Sequence, residues 1–446
     1  MAEARYRSTV ADHQHRVLAL APLLPADTLP LTEAAGLTLA ADATATLDLP
    51  PWDNSAMDGY AVRSEDSTRA SAESPVRLDL IAELPAGTEA DPALAPGQAA
   101  RIMTGAPMPT DADAVVPLED AVGWDPAAPT AGTETPVLVE LDHPVTAGRH
   151  LRRRGEDVRA GDLVSPAGRS LTPHRLSALA AAGIAEVRVR RRPRVVVVST
   201  GSELVAPGDS VRRGQIPDSN SLLLASLVAA SGGQVVHRGR VSDDPAELQA
   251  VLRSTQGASD AVILTGGASV GAHDVARLVL APDSPGGTVP SRQPSTPDGG
   301  APVPEDPTVR FDRVAVQPGK PQGFGLLPDG RAVWSLPGNP VSAWVSYLLF
   351  VEPGLLAMQG RHTPVAPWYP VITEEGWRSP PGREQFVPAR VVSGPGEPLR
   401  IAQATERGSG SHLAGRMARA TGLARVPATT DAVSPGDTVL YRALEA

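Results

Sequence analysis

The sequence predicts a multidomain α/β protein. A central doubly wound α/β domain is expected between mainly β flanking domains, with a barrel-like β domain at the C-terminus. Three observations carry this. First, 446 residues exceed what one ordinary core encloses, so three or four domains are expected. Second, from Arg194 onward, apolar runs at 195–198 and 261–264 alternate with helical stretches, as buried parallel strands do. Third, the regions on either side are short apolar runs broken by Pro, Gly and Asp, which is β texture.

Taken in order, residues 9–22 carry apolar side chains on one helical side and are ended by Pro22 and Pro25. Residues 32–43 predict a second helix, with Thr32 as its cap. The stretch from Leu49 to Val62 opens in turn chemistry and ends strand-like. Residues 60–150 read as a β domain, with a hairpin loop at 124–135. Beyond 194, a helix is expected from Asn220 to Ala230, capped by Ser219 or Asn220. A strand at 235–241 follows, and Asp243-Asp244-Pro245 opens a further helix. Residues 283–308 are rich in Pro, Gly, Ser and Asp and read as a disordered surface insertion. The α/β pattern resumes at Val314 and closes with a helix at 341–350. After Pro364 the chain turns β-like.

Composition excludes several chemistries. The chain has no cysteine, so disulfides, thiolate metal sites and cysteine nucleophiles are ruled out. No run of 18 apolar residues exists and the first 16 residues carry charge throughout. We therefore expect no membrane span and no signal peptide, and a cytoplasmic protein. The net charge of −10 argues against nucleic-acid partners.

Of 40 basic residues, Lys320 is the single lysine, and it lies within Pro318-Gly319-Lys320-Pro321. Ammonium is a compact point charge, whereas guanidinium is a wide planar fork, so a tight oxyanion pocket suits the smaller group. The plain alternative is that composition left one lysine by chance. The three asparagines, Asn54, Asn220 and Asn339, also fall in dense turn motifs, where capping is their ordinary use.

Two further loops leave expected strands, Ser199-Thr200-Gly201 and Gly266-Gly267-Ala268-Ser269-Val270-Gly271. Glycines at strand ends let backbone N–H groups approach phosphate, and ligands gather there in open α/β sheets. A tight turn is the alternative. Glu203, Asp243 and Asp274 sit at the same loop positions. Carboxylates among phosphate-binding backbone suggest Mg²⁺, although helix capping explains Asp243 and Asp274 equally well. The nine histidines lack zinc-ligand spacing, and no nucleophile–His–acid set is evident. Positioning and electrostatics are therefore expected to carry the chemistry.

These motifs, with Asp53-Asn54-Ser55-Ala56-Met57-Asp58-Gly59-Tyr60-Ala61-Val62-Arg63, Arg101-Ile102-Met103-Thr104-Gly105-Ala106-Pro107, Arg152-Arg153-Arg154-Gly155-Glu156-Asp157, Gly214-Gln215-Ile216-Pro217-Asp218-Ser219-Asn220 and Pro337-Gly338-Asn339-Pro340-Val341-Ser342, strongly resemble the molybdopterin molybdenumtransferases. This is the MoeA family, which includes the gephyrin E domain. The resemblance runs in family order from about residue 5 to the C-terminus. It implies a homodimer with four domains per subunit. These would be a linker and dimerisation domain at 24–45 with 151–187, a β domain at 46–150, a molybdopterin-binding-like α/β domain at 5–23 with 188–363, and a C-terminal β domain at 364–446.

The implied reaction inserts molybdate, as substrate, into adenylylated molybdopterin. The adenylate is hydrolysed with Mg²⁺, and molybdenum cofactor and AMP leave. The resemblance makes Asp58, Asp157, Glu203, Asp243 and Asp274 functional acids, with Glu203, Asp243 and Asp274 near Mg²⁺. It implies substrate contacts from Thr104, Arg152, Ser199, Thr200, Gly201, Asp218, Asn220, Gly266, Gly267, Ser269, Gly271, Pro337 and Asn339. It implies a molybdate pocket of Lys320, Ser342, Arg383 and Ser411. Gln317 departs from the pattern, since many relatives carry lysine there. An upstream adenylyltransferase and downstream molybdoenzyme maturation proteins are the implied partners. Two other readings stay open: the adenylyltransferase step itself, and a non-catalytic scaffold.

Overall fold

The computed structural model describes residues 8–122, 137–266, 274–281, 309–405 and 414–444. The loop expected at 124–135 and the insertion expected at 283–308 lie outside them.

The central element is a six-stranded sheet in the order Gln234–Val241, Arg194–Thr200, Ala261–Thr265, Ala332–Leu336, Pro321–Leu326, Arg310–Arg313. The first four strands pair in parallel, and the last two are joined on by antiparallel pairings, so that only Pro321–Leu326 runs against the rest. Strands 194–200 and 261–265 are almost wholly buried, which is why their sequences read as unbroken apolar runs. Helix Val10–Leu20 packs into the same core, opened by a capping box in which Thr9 Oγ1 accepts from the Asp12 amide and Asp12 accepts from the Thr9 amide.

Helix Asn220–Ala230 starts where expected, but neither Ser219 nor Asn220 caps it by side chain. Instead Asp218 Oδ1 accepts from the Ser221 amide at 3.1 Å and from Ser199 Oγ at 2.8 Å. Helix Pro245–Ser254 is capped by Asp244, which accepts from the Ala246 amide, and not by Asp243. The closing helix runs on past 350. It begins at Pro340–Ser346, widens to a π turn at Tyr347–Val351 and continues through Glu352–Met358. The π turn ends at Val351, and Pro353, which cannot donate, falls in the first turn of the segment that follows, so the helix continues beyond the expected end. This 19-residue helix has the length and hydropathy to cross a membrane, yet 83% of its apolar window is buried in the core.

The helix expected at 32–43 is absent. Leu31–Glu33 forms a 3₁₀ turn, Gly36 adopts φ +74°, and Thr38–Leu39 and Ala43–Thr44 are short strands. Thr38 and Leu39 pair with Arg190 and Val189, so burial of Leu37 and Leu39 against the strand at 186–190 overrides alanine's helix propensity. A five-stranded sheet follows in the order Ala114–Pro117, Gly59–Val62, Gln98–Ile102, Val76–Leu84, Leu138–Leu141. At the C-terminus, Glu384–Val391, Arg400–Gln403, Tyr369–Thr373, Thr438–Ala443 and Gly422–Val426 close into a five-stranded barrel.

Two charged contacts anchor the α/β core. Asp260, at the foot of strand 261–265, accepts from the Arg191 and Arg194 guanidinium groups and from the Arg194 amide. Burial pushes its pKa up, but these bonds outweigh it and hold the carboxylate well below its usual range. Its contribution is therefore complete above the unfolded carboxylate pKa and is lost as pH falls. Asp260→Asn is expected to cost about 2–3 kcal/mol at neutral pH, read by denaturant unfolding.

His13 is 1% exposed, lies edge-on to Phe350 and has Nδ1 3.6 Å from Asp312. Burial lowers its pKa below the ordinary histidine value, although Asp312 opposes the shift. A depressed histidine contributes stability above its unfolded pKa and loses it as pH falls. Stability should therefore decline as pH drops through about 6.5, and His13→Phe should flatten that part of the profile.

Candidate active site

The carboxyl ends of the parallel strands carry two adjoining cavities. One, of about 310 Å³, is lined by Ser199, Thr200, Glu203, Asp218, Asn220, Thr265, Gly266, Gly338 and Asn339 among others. The other, of about 390 Å³, is lined by Gly266, Val316, Gln317, Pro318, Gly319, Lys320, Pro321, Pro337, Gly338, Asn339, Ser342 and Arg383. Gly266, Gly338 and Asn339 line both and separate them.

Close backbone approach shapes this partition. Gly266 has φ +110°, and a Cβ there would lie 2.2 Å from the Thr200 carbonyl oxygen. A Cβ on Gly338 would lie 3.2 Å from the Gly266 Cα. Buried polar side chains then lock the strand ends together. Asn220 Nδ2 donates to Thr265 Oγ1 at 3.0 Å and to the Gly338 carbonyl at 2.6 Å. Thr265 Oγ1 donates to the Pro337 carbonyl at 3.0 Å. Asp218, 3% exposed, is held by Ser199 and Ser221 as described. Asp218 and Asn220 thus spend hydrogen bonds on the walls of the first cavity.

The second cavity joins parts far apart in sequence. Residues 316–317 pair in parallel with 384–385, and the Glu384 amide donates to the Ala315 carbonyl. That pairing brings Arg383, from the barrel, beside the loop carrying Lys320. Ser342 comes from the first turn of the helix starting at Pro340. Two cationic side chains and a hydroxyl at one cavity suit an oxyanion.

The acids divide. Glu203 lines the first cavity, folded so closely over its own loop that a Cβ on Gly201 would sit 2.4 Å from its carboxylate. Asp243 accepts from the Ser202 amide at 3.1 Å and so braces the same loop. Asp274 accepts from the Arg277 amide and caps helix Val275–Leu280. Among the described residues, no three His, Asp or Glu side chains are grouped to hold a metal ion. Of these three acids only Glu203 lines a cavity, and one carboxylate there is compatible with Mg²⁺, which takes one or two protein carboxylates and completes its shell with phosphate and water.

The other acids form a separate constellation. Asp58 Oδ1 accepts from the Thr104 amide at 2.7 Å and from its hydroxyl at 2.8 Å, and these bonds hold the carboxyl below its usual pKa. Arg152 pairs across from Asn54, and the Asp157 amide donates to the Leu49 carbonyl. None of Asp58, Thr104, Arg152 and Asp157 lines either cavity. Gly267, Ser269, Gly271 and Ser411 lie outside the described residues. Sequence reasoning passed over Thr265, Gln322 and Ser346. A threonine ending a buried apolar run was the one available signal for Thr265.

Fold and site together define an α/β protein whose strand ends carry a cation-lined cavity beside a second one walled by buried polar side chains. Family models agree in detail. The MoeA N-terminal region (domain I and II) matches residues 8–183, a probable molybdopterin binding domain matches 196–283, and the MoeA C-terminal region (domain IV) matches 370–444. Molybdopterin molybdenumtransferase 2 of Mycobacterium tuberculosis is 40% identical over 379 residues, 85% of this chain and 86% of that protein. The molybdopterin molybdenumtransferase of Nostoc sp. is 34% identical over 421 residues, 92% and 87% of the two. The crystal structure of the molybdopterin biosynthesis MoeA protein from Pyrococcus horikoshii superposes with TM-score 0.75 at 28% identity, covering 98% of this chain and 99% of that one. The chain belongs to the MoeA family, the molybdopterin molybdenumtransferases.

Proposed function

We propose that this chain inserts molybdate into adenylylated molybdopterin, hydrolysing the adenylate and releasing molybdenum cofactor and AMP. Molybdenum insertion in molybdenum cofactor biosynthesis follows from family membership. The observation that supports the division of labour is the shared wall of Gly266, Gly338 and Asn339. In this reading the cavity with Lys320, Ser342 and Arg383 holds molybdate. The cavity with Ser199, Thr200, Asp218 and Asn220 holds the pterin-adenylate side, with Gly201 in the adjoining loop and Pro337 on the molybdate side of the shared wall. A substrate reaching across the shared wall would then bring its dithiolene toward the oxyanion.

Glu203 is the residue that would hold Mg²⁺, with Asp243 fixing its loop. The ion, when bound, supplies charge neutralisation at the adenylate phosphate. Asp58, Thr104, Arg152 and Asp157 lie off both cavities, which supports a homodimer whose partner subunit completes the site. Sedimentation should show a dimer at micromolar protein, and a monomer alone would sink that part of the reading. We take the protein to act in the cytoplasm, receiving substrate from an upstream adenylyltransferase and passing product to maturation proteins.

Incubation with adenylylated molybdopterin, Mg²⁺ and molybdate tests the proposal. AMP release coupled to cofactor formation is expected. ATP-dependent adenylylation of molybdopterin would instead indicate the adenylyltransferase reading, and binding without turnover a scaffold.

A further inference from the structure

We infer that Gln322 and Ser346 are positioning residues that set the width of the oxyanion cavity. The inference rests on the molybdate reading of that cavity. Gln322 and Ser346 are each 1% exposed. Gln322 Nε2 donates to the Gly319 carbonyl at 2.6 Å and to Ser346 Oγ at 2.6 Å, so one buried amide uses both N–H groups. Gly319 has φ +100°, and a Cβ there would come 2.9 Å from Ser346 Oγ and 3.6 Å from the Ser342 carbonyl. The Pro318–Gly319–Lys320 turn therefore rests directly on the helix that carries Ser342.

Ser342 and Ser346 are four residues apart, on one face of that helix. Gln322 stands two residues after Lys320, in strand Pro321–Leu326. The amide thus ties the backbone of the lysine loop to the helix face bearing the hydroxyl. Neither Gln322 nor Ser346 lines the cavity. What the clamp fixes is the separation of the Lys320 loop and the helix bearing Ser342, the two elements whose side chains line the cavity. A point-charge ligand needs such a support, because ammonium itself imposes little direction. Without it the loop can drift from the helix, and the fit to one size of anion loosens.

The test compares wild type, Gln322→Leu, Ser346→Ala and the double variant by molybdate titration of AMP release. Calorimetric binding of adenylylated molybdopterin is measured in parallel. Gln322→Leu is expected to raise half-saturating molybdate about tenfold or more, and Ser346→Ala about threefold. Pterin binding should stay within about twofold, because none of Gly319, Gln322 and Ser346 lines the first cavity. The double variant should be no worse than Gln322→Leu, since both bonds belong to one amide. Sulfate should compete better against molybdate in the variants than in wild type.

Unchanged half-saturation in both single variants would overturn the inference, as would a parallel loss of pterin affinity, which is general damage. If Gln322→Leu does not fold, Ser346→Ala decides alone by the same criteria. A wild type that turns over without responding to molybdate would overturn the cavity's assignment and this inference together. A responsive wild type matched by its variants overturns this inference only.

Discussion

Lys320→Arg is expected to raise the half-saturating molybdate concentration by roughly one to two decades, although the charge is kept. Lys320 lines a cavity with Pro318, Gly319, Pro321, Ser342 and Arg383. The turn is backed by buried Gln322 and Ser346, and the Lys320 carbonyl accepts from the Val314 amide at 2.9 Å. Its backbone therefore has little room to retreat. A guanidinium is wider and planar, so it would take the volume the oxyanion needs. Folding and binding of the adenylylated pterin should change little. Molybdate titration of AMP release measures the effect. Equal half-saturation in the variant would show that the single lysine is a matter of composition.

The second large effect separates two acids that the sequence presents alike. Glu203→Gln is expected to reduce adenylate hydrolysis about a hundredfold and to raise the Mg²⁺ requirement, with the fold intact. Its carboxylate lines the first cavity, and Asp243 braces its loop through the Ser202 amide. Asp274→Asn should act more weakly, because Asp274 already spends a carboxylate oxygen on the Arg277 amide as a helix cap, and asparagine also caps. Single-turnover AMP release over a range of Mg²⁺ separates the two. Equal losses in both variants would mean that Asp274 works at the phosphate and not only at the helix end.

The same residues show where sequence is informative. Strand 194–200 was legible because both of its faces are buried, which forces an unbroken apolar run. Helix Asn220–Ala230 was legible because its apolar side chains follow a turn motif directly. The segment 32–43 was not, since its strands exist only by pairing with residues near 190, and local propensity carries no record of a distant partner. Asp243 and Asp244 illustrate a finer limit. Both are good caps by type, and only the geometry gives the cap to Asp244 and leaves Asp243 on Ser202.

At the site, Lys320 stood out by rarity and Gly266 by its loop. Arg383 became a candidate only through resemblance, because it reaches the cavity by a two-residue strand pairing between distant segments. Gln322 and Ser346 carried no signal. A glutamine in a strand and a serine in a helix are ordinary until both are found buried, with the glutamine amide donating to the Gly319 carbonyl and to the serine hydroxyl.

The central claim is that the cavity bounded by Lys320, Ser342 and Arg383 is where molybdate sits. Anomalous scattering at the molybdenum edge, from crystals grown with molybdate, tests it most directly. The account predicts a peak within hydrogen-bonding reach of Lys320 Nζ and Ser342 Oγ, lost in Lys320→Arg. A strong peak elsewhere, for example at the arginines of 152–154, with this cavity empty, would contradict it.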